Sequence, residues 1–151
     1  MSSLTLTQST ARLLETSFRS ALALAFAADV ASGQLSLWVT NEDLATDPDS
    51  RHLPALVFTA SVKDWDLNIK VGSRYAQRCQ LKIECRAAGN AEQSAPSSES
   101  LLIRVRNQIE DGGFTPQGWQ YLYLDHAGHE ETFKDNARVL SVIYEITALA
   151  A

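Results

Sequence analysis

A chain of 151 residues with 45% apolar and 21% charged side chains falls within the range of one soluble globular domain, here residues 1–151. At that length folding buries roughly 70% of the surface the unfolded chain exposes, so neither a metal nor a disulfide is needed to hold it. A formal net charge of −5 argues against a general nucleic-acid binder, since phosphate binding needs clustered Lys and Arg. No apolar run reaches the roughly 20 residues that span a bilayer, and the polar, uncharged start MSSLTLTQST is unlike a signal peptide, which points to folding in a cytoplasm.

The first predicted element is a helix from Gln8 to Val30, because Leu14, Phe18, Leu22, Phe26 and Val30 recur at four-residue steps and Gly33 supplies a stop. Gly33 to Thr40 reads as a strand with Leu35, Leu37 and Val39 on one face. The acidic stretch Asn41 to His52, which carries Pro48, is a connecting loop. Leu53 to Val62 is a mostly continuous apolar run behind Pro54 and fits a more buried strand. A polar loop from Lys63 to Ser73 leads into the third strand, which completes a three-strand meander.

That third strand, Tyr75 to Ala87, alternates without a break. Tyr75, Cys79, Leu81, Ile83, Cys85 and Ala87 fall on a dry face, and Arg74, Arg78, Gln80, Lys82, Glu84 and Arg86 on a wet one. Six residues of extended chain separate Cys79 from Cys85 by about 20 Å, and a disulfide needs about 7 Å or less, so both thiols are expected free. The dry face is expected to meet the helices.

Gly89 to Ser98 has the composition of a surface linker. A second helix follows with Ser97 or Ser98 as N-cap, Glu99 in its first turn, Leu101, Leu102, Val105 and Ile109 as its buried stripe, and Gly112-Gly113 as its stop. Trp119 to Leu124 reads as a short strand, Asp125 to Asn136 as a charged turn region, and Ala137 to Leu149 as a closing strand with Leu140, Val142, Tyr144 and Ile146 inward. The element order is α-β-β-β-α-β-β in a single α+β domain.

Few residues suggest reaction chemistry. His126, His129, Glu130 and Glu131 are the sole group of metal-type ligands, but they lack the His-Glu-x-x-His pattern and sit in a stretch read as an exposed turn, so no metal or cofactor is expected. Glu42, Asp43, Asp47 and Asp49 lack the spacing of a calcium loop, with Arg51 and His52 where Asp or Asn and Gly are required. Cys79 and Cys85 on an apolar face are expected to be inert rather than nucleophilic. Lys63, Asp64, Trp65, Asp66, Leu67, Ile69 and Lys70 mix charge with large apolar groups in one loop, the mixture of a contact surface centred on Trp65.

In element order, in the Leu53-Pro54-Ala55 start of the second strand, and in the closing segment Ala137-Arg138-Val139-Leu140-Ser141-Val142-Ile143-Tyr144-Glu145-Ile146, the chain resembles the tail-terminator family of long-tailed bacteriophages. The resemblance implies a mixed, mostly antiparallel sheet with two helices packed on one face. It further implies a six-membered homo-oligomeric ring in the tail or neck of the virion, assembled from subunits made in the host cytoplasm. Its partners would be the tail tube protein and the head-completion or connector protein, with DNA passing through unbound. The carboxylates of Glu42, Asp43, Asp47 and Asp49 would then line the opening, where like charge keeps the duplex off the wall. Three other readings fit the residues: a small dimeric cytoplasmic α+β binding domain, another neck or baseplate protein, and an enzyme using His126, His129 and Glu130.

Overall fold

The computed structural model describes residues 9–39, 53–65, 67, 70–71, 74–88, 97–111, 113–134 and 137–151. Helix α1 spans Thr10–Ala25, and the Ser9 hydroxyl caps it by accepting the Arg12 N–H at 3.2 Å. The expected single helix to Val30 breaks at Phe26 (φ −110°, ψ 31°), and a short α2 spans Ala27–Ala31. Each step of four residues turns roughly 40° past one full turn, so over three steps a straight helix would swing Phe26 about 120° away from Leu14. Leu14, Phe18, Leu22 and Phe26 nonetheless all enter one core, and the Phe26 N–H still bonds the Leu22 carbonyl at 2.9 Å.

Strand β1 spans Ser36–Val39 and β2 spans Ala55–Asp64. They are neighbours, as expected, but parallel rather than members of a meander. Parallel neighbours need a connection of a dozen or more residues, and the chain between Val39 and Ala55 is long enough to supply it. Length was the clue that a hairpin was the wrong inference. Beyond β2, Lys70–Val71 (β3) and Arg74–Tyr75 (β4) form a two-stranded ladder of their own, and β5 spans Gln77–Ala88.

Helix α3 spans Ser98–Glu110 and is capped by the Ser97 hydroxyl, which accepts the Ser100 N–H at 3.1 Å. Its buried stripe is Leu101, Val105 and Ile109, with Leu102 half-buried. The last two strands, β6 (Trp119–Lys134) and β7 (Ala137–Ala150), form one long hairpin. The residues from Asp125 to Lys134 are therefore strand, not the charged turn their composition suggested. They lie on an edge, where polar side chains are tolerated on both faces.

The main sheet has the order β1-β2-β5-β7-β6, mixed and mostly antiparallel, as expected for the fold class. Leu56, Phe58, Leu81, Ile83, Val142, Tyr144 and Ile146 share a core with Leu14, Phe18 and Leu22 of α1 and with Leu101 and Val105 of α3. Cys79, Leu81, Ile83 and Cys85 are fully buried on this helix-facing side. The opposite face is not uniformly wet. Arg86 is buried there, ion-paired with the largely buried Glu84 at 2.7 Å. Tyr75, expected on the dry face, lies outside β5 and is exposed.

Candidate contact surface

The end of the sheet that carries Trp65 is shaped by two local irregularities. The register of β2 against β5 shifts between Val62 and Asp64, so Lys63 is an extra residue that bends the strand out of the ladder. Leu67 then returns by donating its N–H to the Ala76 carbonyl at 3.0 Å, and the β3/β4 ladder pairs Lys70 with Tyr75 and Val71 with Arg74. The described part of the predicted loop is thus a small arm outside the main sheet.

Arg74 anchors the base of this arm. One of its Nη atoms donates to the Ala150 carbonyl at 2.8 Å and the other to Gln120 Oε1 at 2.8 Å, tying the arm to the last strand and to the start of β6. Beside it opens a cavity of about 330 Å³ lined by Thr10, Trp65, Arg74, Tyr75, Gln77 and Ala148 to Ala150. Trp65 is 60% exposed and Tyr75 43%. On the floor, Gln77 Oε1 is buried without a hydrogen-bond partner among the described residues, a position that an incoming N–H or O–H donor would satisfy. Tyr121 and Tyr123 are exposed on β6 nearby, Tyr121 lying opposite Leu149 of the cavity lining. Among the described residues, an aromatic rim, a fixed guanidinium and an unfilled acceptor form the character of this surface.

Of the residues expected at this surface, Lys63, Asp64 and Trp65 are exposed and Leu67 is half-buried. Lys70 belongs to β3, whereas Asp66 and Ile69 lie outside the described residues. So do Glu42, Asp43, Asp47 and Asp49. Arg74 and Gln77 were missed as contributors because the alternation from Tyr75 onward hid the end of the strand. The usable signal was Gly72-Ser73, a two-residue pair that favours a tight hairpin.

Elsewhere the chemistry is sparse. A concavity of about 580 Å³ between α1 and the segment after α3 is lined by groups such as Leu13, Ser17, Leu24, Gln108 and Phe114, and among the described residues no acid, base or thiol lines it. Burial pushes the Cys79 thiol up to about 11, and burial with the neighbouring Glu84 charge pushes Cys85 up to about 12, so neither forms a thiolate readily at neutral pH. Both are free and buried.

Glu110 lies beside the hairpin. Its carboxyl is held below the usual carboxylate range first by the hydrogen bond from Arg106, at 2.7 Å, and also by one from the Tyr144 hydroxyl at 3.0 Å. Burial and this carboxylate together raise Tyr144, which stays neutral. His126 and His129 stand on the edge strand β6 next to this network, with ring centroids 5.3 Å apart. Among the described residues no group of three or more His, Cys, Asp or Glu is placed to hold a metal, and no helix is long and apolar enough to cross a membrane. The sequence matches no known family in a scan of protein families, and no curated protein matches it.

Proposed function

We propose that this chain is a virion assembly protein of the tail-terminator type, a subunit of a six-membered ring that caps the tail tube of a long-tailed phage and joins it to the head connector. The observation that carries the reading is the architecture: a mixed sheet with the helices largely on one face, in the element order the resemblance implies. Its role is mechanical, consisting of ending tube growth and leaving a passage for DNA. A closed ring uses two different patches on each subunit, one meeting the other across a repeated rotation. The Trp65 arm is the best candidate for one patch, because its rim is aromatic and its cavity holds an unsatisfied acceptor. The acidic segment from Glu42 to Asp49 supplies charge for the opening, and the net charge of −5 keeps the duplex from adhering.

Electron microscopy of concentrated protein, alone and mixed with tail tubes of the same phage, tests this reading. Closed rings, or density capping tube ends, are expected. A twofold dimer in every condition, with no ring and no association with tubes, would replace it with the small binding-domain alternative.

A further inference from the structure

A regular strand sends residues three apart to opposite faces. His126 and His129 of β6 escape that rule. The register against β7 shifts between His126 and Gly128, so Ala127 is an extra residue: His126 lies opposite Tyr144, and His129 opposite Val142. Tyr144 and Val142 both point into the helix-side core, and residues directly opposite in an antiparallel pair share a face. The bulge therefore brings both imidazoles to one side of the edge strand, with ring centroids 5.3 Å apart and planes inclined at 51°. Two imidazoles bound to one tetrahedral ion through nitrogens about 2.1 Å from it stand with centroids roughly 5 Å apart.

We propose that His126 and His129 form a two-histidine site for a late first-row divalent cation, zinc being the natural occupant. Both side chains are exposed, and neither ring makes a hydrogen bond among the described residues, so their nitrogen lone pairs are accessible to an ion. The site is partly preorganised. The His126 ring packs edge-on against the Tyr144 ring at 6.2 Å, and Tyr144 is fixed by donating to Glu110, which Arg106 holds in turn. Glu131, two residues beyond His129 in the strand, adds a neighbouring carboxylate that pairs with Arg138 at 3.2 Å. With two protein ligands the remaining coordination positions belong to water, which makes the site weak and exchangeable. The inference is independent of the assembly role.

Calorimetric titration with zinc chloride in a non-chelating buffer tests the site, with the thermal midpoint in zinc as a second readout. One ion per chain is expected at neutral pH. His126→Gln and His129→Gln should each weaken binding by about tenfold or more, since losing either ring removes the chelate advantage. Each should also abolish the zinc-dependent rise in the midpoint. His52→Gln, altering the remaining histidine, should change neither. No saturable binding in the unaltered protein, unchanged affinity in either β6 variant, or loss of binding in the His52 variant would overturn the proposal.

Discussion

The carboxylate of Glu15 accepts the backbone N–H of Ala60 at 2.8 Å, joining helix α1 to strand β2. The last residue of β2 paired with β1 is Phe58, opposite Val39. Ala60 lies two residues further along β2. Glu15 is fully buried, so its replacement would leave a backbone donor without water to turn to. Glu15→Ala is expected to lower the unfolding free energy by about 1–3 kcal/mol, the cost of leaving a buried donor unsatisfied. Glu15→Gln, which keeps an acceptor, should cost less. Urea denaturation checks both, with an unchanged m-value marking a native-state effect.

The second prediction concerns the Arg106, Glu110 and Tyr144 network. Glu110 has a folded-state pKa below its ordinary value, so its contribution to stability is complete above the ordinary carboxylate range and is lost as pH falls through the lowered folded value. The gap in thermal midpoint between the natural protein and Glu110→Gln should therefore be widest at neutral pH and shrink in acid. Tyr144→Phe removes one hydrogen bond and should cost about 1 kcal/mol at neutral pH.

The third prediction follows from the buried thiols. With pKa values near 11 and 12, Cys79 and Cys85 hold a thiolate fraction of roughly one part in a thousand or less at pH 8, and burial also denies a reagent access. Ellman's reagent should report almost no thiol in the native protein and two per chain in denaturant without reductant. Fewer than two would mean a disulfide and would contradict the strand register.

The parts of the fold legible in the sequence were those where period and burial agree. The β5 alternation from Cys79 to Cys85 and the α3 stripe of Leu101, Val105 and Ile109 each place every apolar side chain in one core. The second half of β6 was illegible because an edge strand needs no apolar face. His126, Glu130 and Glu131 look like a turn until the ladder to β7 is seen. Glu15 was hidden for a different reason: a buried carboxylate within an apolar helix stripe reads as an interruption, and its partner is a backbone group 45 residues away. The direction of β1 against β2 could have been read from the length between them. The histidine pair stood out as metal-type ligands in the sequence, but its placement on one face of a strand did not, since a bulge leaves no mark in residue spacing alone.

The last prediction separates a contact residue from a core residue. Trp65 is 60% exposed beside a cavity whose other walls come from the start of α1, the arm and the end of β7. Truncating an exposed side chain normally changes stability within about 0.5 kcal/mol, so Trp65→Ala should leave the thermal midpoint of the isolated subunit nearly unchanged. Aromatic anchors at the centre of an interface contribute about 2 kcal/mol or more, so the same substitution should weaken ring or tube association roughly thirtyfold or more. Sedimentation of the variant against the natural protein, with and without tail tubes, reads the association. Gln77→Leu gives an independent check on the cavity: it removes the unsatisfied acceptor, so the free subunit should hold or gain stability while association falls. Loss of subunit stability in Trp65→Ala would instead make this side chain part of the fold, and unchanged association in both variants would move the contact surface away from the arm.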